Sequence, residues 1–217
     1  MDNTTGNLAK PKLISKPTPL IDSYPVNPMF ATPINNPVKT EQPQHDGYAF
    51  YISYPEHNIS TKGTGYEWMG SNIPIIKGHA ASIIVDSKGN ATYHTYGRYN
   101  DMGSYITKKL PSIKTGEDRQ TYLKRIRPYL EYADQNEPVN AAYIPNVDSA
   151  KSRAYYKSKP NQGKYNIKNG TTCVGEACRG IDAGTGVDST PALDWLVPDT
   201  PESVRLIKYK GNEQYSF

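Results

Sequence analysis

Between Tyr48 and Tyr54 the run Tyr-Ala-Phe-Tyr-Ile-Ser-Tyr is dense in aromatic and β-branched residues and ends at Pro55, which predicts a strand. A polar loop with Gly63 and Gly65 follows. Two further β-rich runs, Gly78–Asp86 and Ala91–Tyr99, are joined by Ser87-Lys-Gly-Asn90 and predict a hairpin. If those four residues form the turn, Asp86 faces Ala91. That register sets His79 opposite Arg98, Ala81 opposite Tyr96 and Ile83 opposite His94. Residues 117–136 place Tyr122, Leu123, Ile126, Tyr129 and Leu130 on one helical face, with Pro128 set to kink or interrupt the helix. A shorter helix is predicted over Val147–Ser158, carrying Ala150, Ala154 and Tyr155 and stopping before Pro160. The run Tyr165–Gly180 reads as a loop entering a helix near Cys173, ended by the glycines from Gly180 to Gly186, and Ser203–Lys210 as a last strand. There is no internal repeat, and the mixture is α+β, an antiparallel sheet packed on a few helices.

Composition changes this picture at the N-terminus. Eight of the 18 prolines fall before residue 46, in a stretch with one tyrosine and no tryptophan. Such a segment lacks the apolar content to offset its ordering entropy, so residues 1–46 are expected to form an extended or disordered arm and residues 47–217 a single domain. Two cysteines exclude a disulfide scaffold and any zinc site built on three or four thiolates. No apolar run approaches the ~20 residues of a membrane span, and Met1–Gly6 is polar rather than the basic lead of an export signal. A net charge of +4 over 217 residues is far from that of a dedicated nucleic-acid binder.

The chemistry-bearing residues are few. Cys173 follows Asn169-Gly-Thr-Thr172, turn-forming and capping residues that set its thiol at a helix N-terminus, where free amides and the helix dipole favour thiolate and can hold an oxyanion. Against this stand a simple buried cysteine and a bridge to Cys178. Of the four histidines, His45 lies in the arm and His57 in the loop after Pro55. His79 opens a strand in an apolar hairpin, where a histidine needs partners, and is the natural base. In the register above His94 shares a sheet face with His79 but lies about 13 Å along the strand, too far to orient it. The orienting group is left among Thr95, Tyr96 and Arg98. Gly184-Thr-Gly-Val lacks the lysine and frame of a phosphate loop, and Asp86, Asp101 and Asp118 share no metal-ligand spacing, so no metal or cofactor is expected. Tyr93, Tyr96, Tyr99 and Tyr105 are expected to pack the sheet rather than bind ligands.

The order of these elements resembles a known family. Gly78-His-Ala-Ala-Ser-Ile-Ile-Val-Asp86, then Thr92-Tyr-His-Thr-Tyr-Gly-Arg-Tyr99, with Tyr165-Asn-Ile-Lys-Asn-Gly-Thr-Thr-Cys173 downstream, is similar to the circularly permuted NlpC-type papain-like cysteine hydrolases. More narrowly, it resembles type VI secretion effectors of that fold, which cut peptidoglycan in a rival cell. The resemblance implies Cys173 as nucleophile and His79 as general base. It implies amide bonds of peptidoglycan stem peptides or cross-bridges as substrate, a secretion-machine carrier and an immunity protein as partners, and action in the periplasm of a target bacterium without a signal peptide. Two positions depart from the family: Thr95 stands where an acidic residue is common, and Thr172 rather than asparagine precedes Cys173. The alternatives are an acyltransferase or lipid hydrolase of the same permuted fold, and a non-enzymatic binding module with a Cys173–Cys178 bridge.

Overall fold

Near-continuous burial of residues 49–54, 78–85 and 93–97 marks a sheet covered on both faces in a computed structural model, which describes residues 45, 47–58, 77–99, 102–132, 137–159, 162–163, 171–187 and 200–217. The arm apart from His45, the loop after the first strand and the run 164–170 lie outside these residues. The elements in chain order are β1 Gly47–Asn58, β2 Lys77–Val85, β3 Ala91–Tyr99, β4 Met102–Leu110, α1 Arg119–Ile126, β5 Asn140–Val147, α2 Ser149–Lys157, β6 Gln162–Gly163, α3 Cys173–Thr185, α4 Pro201–Lys208 and β7 Gln214–Ser216. The strands make one sheet in the order β6-β4-β3-β2-β1-β5-β7, antiparallel at every pairing.

Each face of the sheet carries its own core. Phe50, Ile52, Tyr54, Ala81, Ile83 and Tyr93 point to the face covered by Tyr122, Leu123 and Ile126 of α1. Ala49, Tyr51, Ala80 and Ile84 point to the other, covered by Cys173, Val174, Ala177 and Ile181 of α3 and Val204 of α4. The three α1 side chains are fully buried, each contributing about 1.5–3 kcal/mol. A 3-10 turn, Arg127–Tyr129, follows α1, with Pro128 inside it, so the proline ends the α-helix at Ile126.

Four sequence expectations are corrected. The β2–β3 register is shifted by one: Val85 faces Ala91, Ser82 faces His94 and Ala81 faces Thr95. The reason lies in the turn. Gly89 N–H bonds to Asp86 O at 2.9 Å, Asp86 N–H bonds to Asn90 O at 3.1 Å, and Gly89 sits at φ 77°. The loop is therefore three residues long with a left-handed bulge, which pairs Asp86 with Asn90 instead of Ala91. A slip of one residue moves a side chain to the opposite face, so His94 does not share a face with His79. Second, Ser203–Lys210 is not a strand. Thr200 Oγ1 accepts from Ser203 N–H at 3.1 Å, Pro201 occupies the first turn and Arg205 and Lys208 the last; those signals start a helix and outweigh the β-branched Val204 and Ile207. Third, β1 runs past Pro55 to Asn58 through an irregularity between Tyr54 and Asn58. Fourth, Asp148 caps α2 by accepting from Lys151 N–H, and the helix buries Ser152 and Tyr156 while Ala150 and Ala154 are exposed.

The contact between α2 and α3 is made close by glycine. A Cβ on Gly184 falls 2.3 Å from Ser152 Oγ, 2.6 Å from Val147 Cγ1 and 2.8 Å from the Asp148 carbonyl. Gly184→Ala is expected to lower stability by about 2 kcal/mol in urea unfolding, an overpacking cost of about 3 kcal/mol less the roughly 1 kcal/mol of helix propensity gained. A variant as stable as the wild type contradicts this contact.

Candidate active site

α3 begins where the sequence places it. Thr172 Oγ1 accepts from Gly175 N–H at 3.0 Å and its carbonyl from Glu176 N–H at 2.9 Å, so Cys173 is the first helical residue; Gly186, at φ 71°, ends the helix. The C-terminal end of α3 is tied to the Val85 end of the sheet, because Asp148 N–H bonds to Gly184 O and Val147 pairs with Gly47 beside Val85. Eleven residues of helix, about 16 Å, carry the chain from Gly184 back to Cys173. That matches the six-residue run of β2 from Val85 to His79, about 20 Å. The start of α3 is fixed at the other end: Glu176, three residues after Cys173, takes a hydrogen bond from Tyr105, which pairs with Tyr96 next to the Thr95–Ala81 pair, so Cys173 lies toward the His79 end of the sheet.

Cys173 and His79 do not lie in the same layer. Cys173 is 2% exposed within the α3-side core. The His79 ring sits on the α1 side, among Tyr54, His57 and Tyr132, with ring centroids 5.7, 5.8 and 4.7 Å away. No hydrogen bond joins His79 to Cys173 among the described residues. Its Nε2 is instead hydrogen-bonded to Thr95 Oγ1, one of the three candidate orienting groups. Tyr96 points to the other face, its ring 4.5 Å from that of Tyr105, and the Arg98 side chain lies outside the described set. On the same face the Tyr93 hydroxyl meets Tyr54 Oη at 3.0 Å. Burial, and secondarily His57, pushes the His79 imidazole down to about 3, which keeps it neutral. Thr95→Val removes the one described polar partner of Nε2, and a stability loss of about 1–3 kcal/mol is expected in urea unfolding; an unchanged midpoint refutes the bond.

Three residues join the site unannounced by the sequence reading. His57, at the end of β1 rather than in a free loop, has its ring centroid 4.0 Å from that of Tyr132. Tyr132 holds a left-handed φ of 57°, a strained conformation for an aromatic residue that clusters at functional places. Glu176, one turn after Cys173, is buried and held by Tyr105 Oη, by Tyr155 Oη at 2.7 Å and by Arg179 Nη1 at 2.9 Å. An acid in the first turn of a helix was the available signal for it.

The fold resembles that of TseH, a type VI secretion system effector. The two structures superpose with a TM-score of 0.56 at 16% identity, over 81% of this chain and 99% of that one. No family profile and no curated relative matches the sequence. At this identity the likeness speaks for the α+β fold.

The two cysteines are not bridged. Both are buried thiols, and burial raises Cys178 to about 11, so the binding module stapled by a Cys173–Cys178 disulfide is set aside. His94, the other buried histidine, stacks on Tyr156 at 4.1 Å and 6° on the α3 side. Among the described residues no group of three or more His, Cys, Asp or Glu is arranged to hold a metal.

Proposed function

We propose that this chain is a bacterial effector that hydrolyses amide bonds of peptidoglycan peptides, with Cys173 as nucleophile, His79 as base and Thr95 orienting the base. The observation that carries this reading is the placement of a cysteine at the capped start of α3, at the same sheet end as a neutral histidine whose Nε2 is already bonded to a hydroxyl. The positive end of the helix and its first amides favour a developing anion on sulfur or on the substrate oxygen. His79 takes the thiol proton, the sulfur attacks the amide carbonyl, the amine leaves with the proton, and water releases the acyl group. The two residues start from different layers and Cys173 is covered, so the reading requires that substrate open this end of the sheet and bring the imidazole edge to the sulfur. The likeness to TseH, a type VI secretion system effector, supports the effector role and delivery by a secretion machine; action in the periplasm of a target cell and an immunity partner in the producing cell are part of the same proposal.

One observation favours a second reading, a binding module without catalysis: the layer separation of His79 and Cys173. Digestion of purified peptidoglycan, with soluble fragments quantified for the wild type, Cys173→Ala and His79→Gln, separates the two. Equal release from all three overturns the hydrolase reading.

A further inference from the structure

On the α3 side of the sheet, strands β3 and β4 and the end of α2 line a half-open cavity of about 580 Å³, the size of a small-ligand site. Its floor is a fixed stack, the His94 ring lying parallel on Tyr156, with both His94 nitrogens bonded at 3.0 Å, Nδ1 to Thr107 Oγ1 and Nε2 to Thr92 Oγ1. Thr92 donates its own proton to Ile84 O at 3.4 Å, so it accepts from Nε2–H and leaves Nδ1 to accept from Thr107. The Tyr105 hydroxyl donates to Glu176, and Tyr156 Oη is held 2.6 Å from Ser82 Oγ. The hydroxyl protons are thus spent inward.

What remains toward the cavity is positive charge. Arg153 is partly committed, 3.1 Å from Asp86 and 2.8 Å from Asn90 O. Lys159 lies over the Tyr155 ring and 3.9 Å from a Glu176 carboxylate already served by Arg179 and two tyrosines. Lys157 is exposed and has no hydrogen bond or ion pair among the described residues. Three cations line the cavity and, among the described residues, no carboxylate does. The His94 ring adds no charge, since burial and Arg153 hold it neutral down to about 3.

The geometry points to a binding site for a small ligand bearing an oxyanion, carboxylate or phosphate, held by the ammonium groups of Lys157 and Lys159 with its apolar part against the His94–Tyr156 stack. This site stands independently of the hydrolase reading; where both hold, the free carboxylates of a stem peptide are the matching ligand.

Calorimetric and amide-shift titrations of the full chain, with inorganic phosphate in one arm and a synthetic stem peptide carrying free carboxylates in the other, test it. At least one probe is expected to bind, about tenfold more weakly in Lys157→Gln/Lys159→Gln, and more weakly as salt rises. Lys157→Arg/Lys159→Arg is expected to restore binding, and Lys108→Gln, which removes the partner of Glu131, to leave it unchanged. The arm that binds tighter identifies the source of the oxyanion. No binding of either probe at millimolar concentration, or equal binding by the double glutamine variant with its thermal melt intact, overturns the proposal. Neither outcome bears on peptidoglycan digestion.

Discussion

Cys173→Ala is expected to release no more soluble peptidoglycan fragments than buffer does, a loss of at least about 10³-fold, because the covalent step has no other thiol to use: Cys178 is buried within α3 and its proton is held up to about 11. His79→Gln is expected to fall as far, and the double variant no further, since a nucleophile and its base act as one unit and their losses do not add. That non-additivity is the discriminating measurement. Two residues that merely support the fold on opposite faces of a sheet give losses that add, and losses that track the thermal melt. Thr95→Val is expected to cost less, about 10-fold, because the threonine positions the ring and takes no proton, and to move the pH dependence of turnover as well as its height. Fragment release by Cys173→Ala at the wild-type rate ends the hydrolase assignment. Retained binding of peptidoglycan by all variants with no release from any, including the wild type, leaves the binding module in its place.

How much of this was legible in the sequence depends on what each residue's partner is. The hairpin was readable because the β-rich runs and their glycine turn are contiguous, and α3 because Thr172 and Gly186 mark its ends locally. The register was not, because it hangs on the left-handed φ of Gly89, which converts a four-residue turn into a three-residue loop and sends His94 to the far face. In α4 the β-branched residues suggested a strand, while Thr200-Pro201-Glu202 carried the start of a helix. Strands β4, β5 and β7 escaped because each is defined by its neighbours across the sheet more than by its own alternation. At the site, Cys173, His79 and the short set containing Thr95 were readable from local context. His57 and Tyr132 were not, since each reaches its place through pairing between distant segments, and Glu176 carried only the local signal of an acid in the first turn of α3, its partners Tyr105 and Tyr155 lying far off in the chain. The separation of His79 and Cys173 into two layers is likewise a property of the whole sheet: His79 follows the face of Tyr54 and Ala81, whereas α3 covers that of Ala80 and Ile84.

Acidification from pH 7 to pH 5 is expected to destabilise the folded chain by about 3–4 kcal/mol. His79 and His94 are each 3% exposed, and burial pushes both down to about 3 from an ordinary value of 6.5, with His57 adding to the effect at His79 and Arg153 at His94. A depressed native value means that the unfolded chain binds protons the native chain refuses. Stability is therefore intact above about 6.5, the unfolded value, and is lost progressively as pH falls from there toward 3. Two such groups give a slope approaching about 2.7 kcal/mol per pH unit once the unfolded histidines are protonated. The carboxylates held down by their partners, Glu117 by Arg125 and Glu202 by Arg205, also favour the folded state, but their contribution is lost only below the ordinary glutamate range, so the window from pH 7 to pH 5 isolates the imidazoles. Half-buried His57, lowered chiefly by burial, adds in the same direction. The check is the urea midpoint of the full chain at half-unit steps of pH, repeated for His79→Gln and His94→Gln. Each substitution is expected to remove about half of the slope while lowering stability at pH 7, because His79→Gln leaves Thr95, and His94→Gln leaves Thr92 and Thr107, less well satisfied. A flat profile between pH 7 and pH 5 contradicts the burial of both rings, and a slope that survives either substitution unchanged assigns the titration to another group.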